Sequence, residues 1–155
     1  MGSPLLDEVR PLIGRSAPFH TAPDPVNLPM ARHWCDVIDD RNPVYTDEAF
    51  ARASVFGGLV APPAMLDVWD KPGLHMVRDP GNPQAAALTV LDREGFTSTV
   101  AVNSDLELDR YLRPGDLVHS TLTLEDVSDE KQTALGTGHF VTSRIRYLVG
   151  DEAVG

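Results

Sequence analysis

The sequence predicts an α+β protein, an antiparallel sheet wrapped around a short, proline-interrupted central helix. Three observations predict it. Apolar residues recur at helical spacing before Gly95, and they alternate at strand period after it. Between the two patterns lies 59–69 (LVAPPAMLDVW), the most apolar segment of the chain. A sheet needs one face covered, and this segment is apolar enough to cover it.

Each element follows in order. Residues 4–13 (PLLDEVRPLI) form a weak helix that ends near Gly14, and 16–27 (SAPFHTAPDPVN), with three prolines, read as an extended lead-in strand or loop. Asn27 can cap a helix with Pro29 in its first turn. Met30, Trp34, Val37 and Ile38 then share one helical face, and that helix must stop before Pro43. Thr46 caps a short second helix with Asp47 and Glu48 in its first turn, where a helix dipole favours them. It breaks at VFGG. A short, buried helix from Pro62 or Pro63 to about Asp70 follows, since prolines at a helix start remove only amides that lack helical partners. Pro72-Gly73 ends it, and 79–83 (DPGNP) is a turn. A third helical stretch covers 84–94. Beyond Gly95, 97–112 (TSTVAVNSDLELDRYL) is β-rich, and Arg113-Pro114-Gly115-Asp116 is a tight turn. Val118, Ser120, Leu122 and Leu124 alternate with His119, Thr121 and Thr123; 128–133 is a polar turn; and His139–Val149 alternates again.

Composition bounds the function. The chain has 155 residues, the size of one domain, with 1–26 as an N-terminal extension. Its 13 Lys and Arg stand against 23 Asp and Glu, a net charge of −10. So acidic a chain has no general attraction for phosphate backbones or anionic membranes, which argues against nucleic acid or membrane as partner. All but two of the basic residues are Arg, suited to local anion contacts. Cys35 is the single cysteine, so neither an internal disulfide nor a thiolate metal cluster is expected. No apolar run is long enough for a membrane span, and MGSPLLDEVRPLIG has no secretory character, which makes a cytoplasmic location the expectation.

The informative stretch is 39–66, DDRNPVYTDEAFARASVFGGLVAPPAML. It resembles the signature of MaoC-like enoyl-CoA hydratases and dehydratases, Gly-Asp-x-Asn-Pro-x-His followed by an acidic-Ala-rich helix, Phe-Gly, an apolar pair and Ala-His-Gly. Asp40, Asn42 and Pro43 stand at the motif's positions; Asp47, Ala51, Phe56, Gly57, Val60 and Ala61 follow at its spacing. RYLRPGDLV (Arg110–Val118) resembles the family's strand turn, and KQTALGTGHFVTSRIRY (Lys131–Tyr147) resembles the dehydratase branch whose helix begins with Ala-Pro-Pro. The resemblance covers roughly 27–150 and implies the hot-dog fold. In the family, the motif's Asp and His activate water and return a proton, and a backbone amide at the start of the central helix polarises the thioester carbonyl.

The chain departs from that pattern at two places. Tyr45 takes the catalytic His position, and a phenol with an ordinary pKa of about 10 is a poor base at neutral pH. Pro63 takes the oxyanion Gly position and has no N–H to donate. Asp40, Asn42 and Tyr45 are thus catalytic remnants without a complete set. Asp40 and Asn42 also fit a plain structural role, holding a turn. The resemblance implies a pocket-forming, catalytically degenerate subunit of a heteromeric (2E)-enoyl-CoA hydratase, closest to the non-catalytic MaoC-like domain of actinobacterial steroid side-chain hydratases. A catalytic MaoC-like subunit would complete a double hot-dog heterodimer or heterotetramer. The shortened central helix leaves room for a bulky acyl-CoA, with Tyr45, Phe56, Pro63, Met65, Leu66 and Trp69 lining the substrate site. No cofactor beyond the CoA thioester and no metal is implied. The resemblance leaves open a thiolase-like aldolase in a larger complex and a further C-terminal domain beyond this chain. Two other readings stay in play: a self-sufficient homodimeric acyl-CoA dehydratase or thioesterase, and a non-enzymatic acyl-CoA-binding module.

Other candidates are weaker. The five histidines show no metal-ligand spacing, and His33, beside Trp34, is expected to be half-buried. Cys35 reads as a small buried apolar residue. Arg110, Arg113, Arg144 and Arg146 could meet a CoA phosphate, although ordinary solvated strand faces account for most of them.

Overall fold

The structure is a computed structural model that describes residues 4–71, 73, 75 and 77–155. The element order is α1 (Pro4–Val9), β1 (His20–Thr21), α2 (Leu28–Ile38), α3 (Glu48–Ala53), α4 (Pro83–Arg93), β2 (Val118–Val127), β3 (Lys131–Thr133), β4 (Gly136–Gly138), β5 (Val141–Val149) and β6 (Glu152–Ala153). Short 3-10 turns follow α1, at Arg10–Leu12, and stand at Pro43–Tyr45 and Pro63–Met65. One sheet has the order β1-β2-β5-β6, and β3-β4 is a separate hairpin. The sheet is antiparallel where β1 meets β2 (His20 opposite Ser120) and where β5 meets β6 (Leu148 opposite Ala153).

The chain clusters into two compact units. The first joins 1–19, 75–104 and 121–146. Its core sets Leu5, Leu6 and Val9 of α1 against Ala87, Val90 and Leu91 of α4 and against Leu124 and Val127 of β2. The helices form for local reasons. Asn82 caps α4 by accepting from the amides of Gln84 and Ala85, and Pro83 fills the first turn, where its missing N–H costs nothing. Glu8 of α1 and Arg93 of α4 are joined by an exposed ion pair.

The second unit joins 20–74, 105–120 and 147–155. Asn27 caps α2 through the amide of Met30 (3.0 Å) with Pro29 in the first turn. Asp39 ends α2 in the left-handed region at φ 54. Asp47, not Thr46, caps α3 by accepting from the amide of Phe50. The 113–116 turn is pinned by Asp116, whose Oδ2 accepts from the Arg113 amide and from the Arg110 guanidinium. Gly115 supplies the positive φ (96) that this turn requires.

Further sequence expectations need correction: of 128–133, read as a polar turn, Lys131–Thr133 is a strand paired with Gly136–Gly138. The α2 face made of Met30, Trp34, Val37 and Ile38 is not the buried one. Ala31 and Cys35 are buried instead, while Val37 is 84% exposed. The small residues let the helix approach its neighbours and leave the larger apolar stripe outside. His33 is exposed rather than half-buried. Residues 97–108 form no strand, and Val100 and Val102 are exposed. The segment after Pro62 is no α-helix. The amides of Met65, Leu66, Val68 and Lys71 each bond back three residues, to Pro62, Pro63, Met65 and Val68, so it runs as a 3-10 turn and successive tight turns. The expected stop at Pro72 lies outside the described residues.

Candidate functional site

Asp40, Asn42, Tyr45, Phe56, Pro63, Met65, Leu66 and Trp69 all belong to the second unit. Asp40 follows the left-handed Asp39, and its Oδ1 accepts from the Asn42 amide at 3.0 Å. Asn42 Oδ1 accepts from the Val44 amide at 3.3 Å and caps the 3-10 turn Pro43–Tyr45. Each remnant polar side chain therefore closes a local turn. That turn inserts Tyr45 into a buried cluster with Cys35, Val44 and Val60, against which Phe56 and Tyr111 pack. The Phe56 and Tyr111 rings lie 4.7 Å apart, centre to centre.

Electrostatics fixes the protonation of Tyr45. Burial pushes its phenol above the ordinary tyrosine range, and the nearby Tyr111 and Asp40 push the same way. A hydrogen bond with the Asn42 side chain opposes this only in part. The phenol is thus protonated at neutral pH and cannot take a proton from water. Burial likewise raises the Cys35 thiol, with Asp40 and Asp36 adding to it, so Cys35 is held as the neutral thiol.

Pro63 opens the 3-10 turn, half-buried, with no amide to offer. Met65, Leu66 and Trp69 behind it are almost wholly buried. Tyr45, Phe56 and Val60 are thus one packed group, while Pro63, Met65, Leu66 and Trp69 lie along the following turns. Among the described residues no cluster of His, Cys, Asp and Glu could hold a metal ion.

One polar constellation escaped the sequence reading. Asp70 and Ser120 are both buried, and Ser120 Oγ donates to Asp70 Oδ2 at 2.5 Å. Asp70 Oδ1 and the indole Nε1 of Trp69 are buried without a partner among the described residues. His20 Nε2 donates to the Asp70 carbonyl at 3.0 Å. Tyr147 Oη donates to Asp67 Oδ1 at 2.8 Å, and burial raises the Tyr147 phenol further, with Asp67 next in effect. The available signal was a carboxylate closing the most apolar run of the chain, with a serine at an inward strand position.

The four arginines separate. Arg110 is held by Asp116 (2.7 Å) and Glu152 (2.9 Å), and Arg144 by Glu125. Arg113 and Arg146 pair with no carboxylate among the described residues. Arg113 instead donates through Nη2 to the Phe56 carbonyl at 2.7 Å.

Comparison with known proteins places this geometry. The family described as FAS1-like, dehydratase domain region, matches residues 12–154. The 3-oxo-4,17-pregnadiene-20-carboxyl-CoA hydratase alpha subunit of Mycobacterium tuberculosis is 46% identical over 133 residues, 86% of this chain and 43% of that protein. The chain spans about two fifths of the length of the two curated hydratase alpha subunits it matches. A chain of the ChsH1-ChsH2 complex from Mycobacterium tuberculosis superposes with a TM-score of 0.89 at 41% identity, over 97% of this chain and 85% of that one. The (R)-hydratase from A. caviae involved in PHA biosynthesis shares the fold at TM-score 0.55 and 15% identity, over 92% of this chain and 89% of that one.

Proposed function

The chain belongs to the FAS1-like dehydratase-region family, a MaoC-like group with the hot-dog fold, and from that premise we propose that it is the pocket-forming, catalytically degenerate subunit of a heteromeric enoyl-CoA hydratase. Its substrate is a (2E)-enoyl-CoA with a bulky acyl group, of the class of steroid side-chain CoA esters. A partner MaoC-like subunit supplies the Asp/His pair and the oxyanion amide. The reaction adds water across the double bond and uses no cofactor beyond the thioester itself.

One observation carries this reading. The position of the base holds a buried, protonated phenol, and the position of the oxyanion donor holds a proline. Hydration needs a proton acceptor for water and a donor for the developing enolate oxygen, and each is typically worth a hundredfold or more in rate. This chain offers neither at those positions. Two further observations support it. The relatives named above are subunits of a hydratase and of a two-component complex. The exposed Met30, Val37 and Ile38 on α2 are the apolar surface that a subunit keeps for company rather than for water. The bulky acyl group is supported by the 46% identical relative, named for a 3-oxo-4,17-pregnadiene-20-carboxyl-CoA.

The test is reconstitution. The purified chain alone should hydrate no enoyl-CoA. Mixed with a MaoC-like subunit bearing the intact motif, it should raise turnover of steroid enoyl-CoA esters well above that of short linear ones. Turnover by the lone chain refutes the division of labour, and preference of the complex for short linear substrates refutes the bulky pocket.

A further inference from the structure

We infer that Arg113 is a binding residue for the phosphate groups of the CoA moiety; the inference rests on the CoA-thioester reading above. Most arginines of this acidic chain are spent on neighbouring carboxylates: Arg10 on Asp7, Arg41 on Asp39, Arg52 on Glu48, Arg78 on Asp92, Arg93 on Glu8, Arg110 on Asp116 and Glu152. Arg113 is exposed and has none among the described residues.

Arg113 is nevertheless held in place. Its amide donates to Asp116 Oδ2 at 2.8 Å, which fixes the backbone of the 113–116 turn. Its Nη2 donates to the Phe56 carbonyl at 2.7 Å, which fixes the guanidinium plane. A guanidinium carries five donors in a rigid fork, and this bond occupies one. The rest of the fork stays available beside the Gly57-Gly58 turn. Gly57 has a φ of 65, and a side-chain carbon at Gly58 would stand 3.5 Å from Arg113 Nη1. Glycine there keeps the surface beside the guanidinium low. Phe56 also packs on the Tyr45 cluster, so a fixed, unneutralised cation stands at the edge of the residues that mark the former catalytic site.

The position decides the ligand class. In a chain of net charge −10, diffuse attraction for anions is absent, so an anion must be captured by a local, pre-oriented donor. Phosphate matches a guanidinium fork, whereas the apolar acyl group does not. Arg15, Arg32 and Arg146 also pair with no carboxylate among the described residues, and none of the three has a side-chain hydrogen bond fixing it there, as Arg113 has.

The experiment is titration of the chain, with its partner subunit, by CoA, 3′-dephospho-CoA and pantetheine. The variants are Arg113→Gln, which keeps an amide donor for the Phe56 carbonyl but no charge, and Arg113→Lys, which keeps the charge but no fork. Loss of one charge-assisted contact corresponds to roughly tenfold in affinity. Arg113→Gln is expected to weaken CoA about tenfold and pantetheine less than twofold, with Arg113→Lys between wild type and Gln. Persistence of the loss with 3′-dephospho-CoA assigns the contact to the diphosphate, and its disappearance assigns it to the 3′-phosphate; both support the inference. Equal weakening of CoA and pantetheine overturns it, because Arg113 then only props the Phe56 turn. Unchanged CoA affinity, or wild-type protein that binds CoA no better than pantetheine, overturns it too. Hydration is assayed separately on the same wild-type protein. A complex that binds CoA through Arg113 yet hydrates nothing sinks the hydratase reading and leaves this one standing.

Discussion

Substituting Ser120 by alanine should destabilise the protein far more than the loss of one oxygen suggests. Ser120 and Asp70 are buried, and the serine hydroxyl is the donor that meets Asp70 Oδ2, at 2.5 Å. Asp70 Oδ1 already lacks a partner among the described residues. Alanine removes no carbon, so the cavity and transfer contributions are small. What is lost is a charge-assisted hydrogen bond inside the protein, about 1.5–3 kcal/mol, with the carboxylate left without that donor. For a chain of this size, that corresponds to a drop in melting temperature of about 4–8 °C. Urea denaturation of wild type, S120A, D70N and the double variant measures it. Asparagine at 70 can still accept from the serine hydroxyl but carries no charge. In the D70N background, Ser120→Ala should therefore cost only about 1 kcal/mol, the worth of a neutral bond. Equal costs in the two backgrounds, or a wild-type cost below about 0.5 kcal/mol, would refute the claim that a buried ionic hydrogen bond links β2 to the segment ending at Asp70.

Three further expectations follow from single residues. Asn27→Ala removes the α2 cap on the Met30 amide and should cost about 1 kcal/mol, read by denaturation, with Asn27→Asp close to wild type. Burial raises the Tyr45 and Tyr147 phenols, so the folded state holds protons that the unfolded state has released above its ordinary tyrosine pKa of about 10. The stability they contribute is fully present below that pH and is lost as pH rises past it. Absorbance at 295 nm should show the Tyr45 and Tyr147 phenols ionising above the ordinary tyrosine range, and their free titration near 10 would contradict this. Tyr45→Phe in the reconstituted complex should leave kcat within about twofold of wild type, since a group outside the proton transfers contributes none of their roughly hundredfold or greater rate effect. A hundredfold fall would place Tyr45 in the chemistry.

Much of the fold was legible because its punctuation is local. Asn27 with Pro29 and the 113–116 turn each act within a few residues, and both stand where the spacing put them. What failed was the choice of face. Met30, Trp34, Val37 and Ile38 carry the larger apolar moment of α2, but Ala31 and Cys35 make the contact. Apolar periodicity reports that a face avoids water, not which protein surface covers it. The β-rich reading of 97–112 failed for a related reason. Strand propensity reflects fit to neighbouring strands, and the segment forms none within this chain.

At the site, residue identity was more informative than pattern, because Tyr45 and Pro63 both suit the fold where they stand. Pro63 stands first in its turn, where an amide would have had no intrahelical partner, so exchanging glycine for proline there removes a donor and strains nothing. Tyr45 is 6% exposed and packs with Cys35, Val44 and Val60, so the phenol serves as filling where an imidazole would need a charged neighbourhood to act as a base. Asp40 and Asn42 have a structural duty in any case: their oxygens close the turn that seats Tyr45, whatever that residue does. On the proposed division of labour, Asp40 and Asn42 beside Tyr45 and Pro63 fit a chain whose turn serves structure while a partner supplies the proton chemistry.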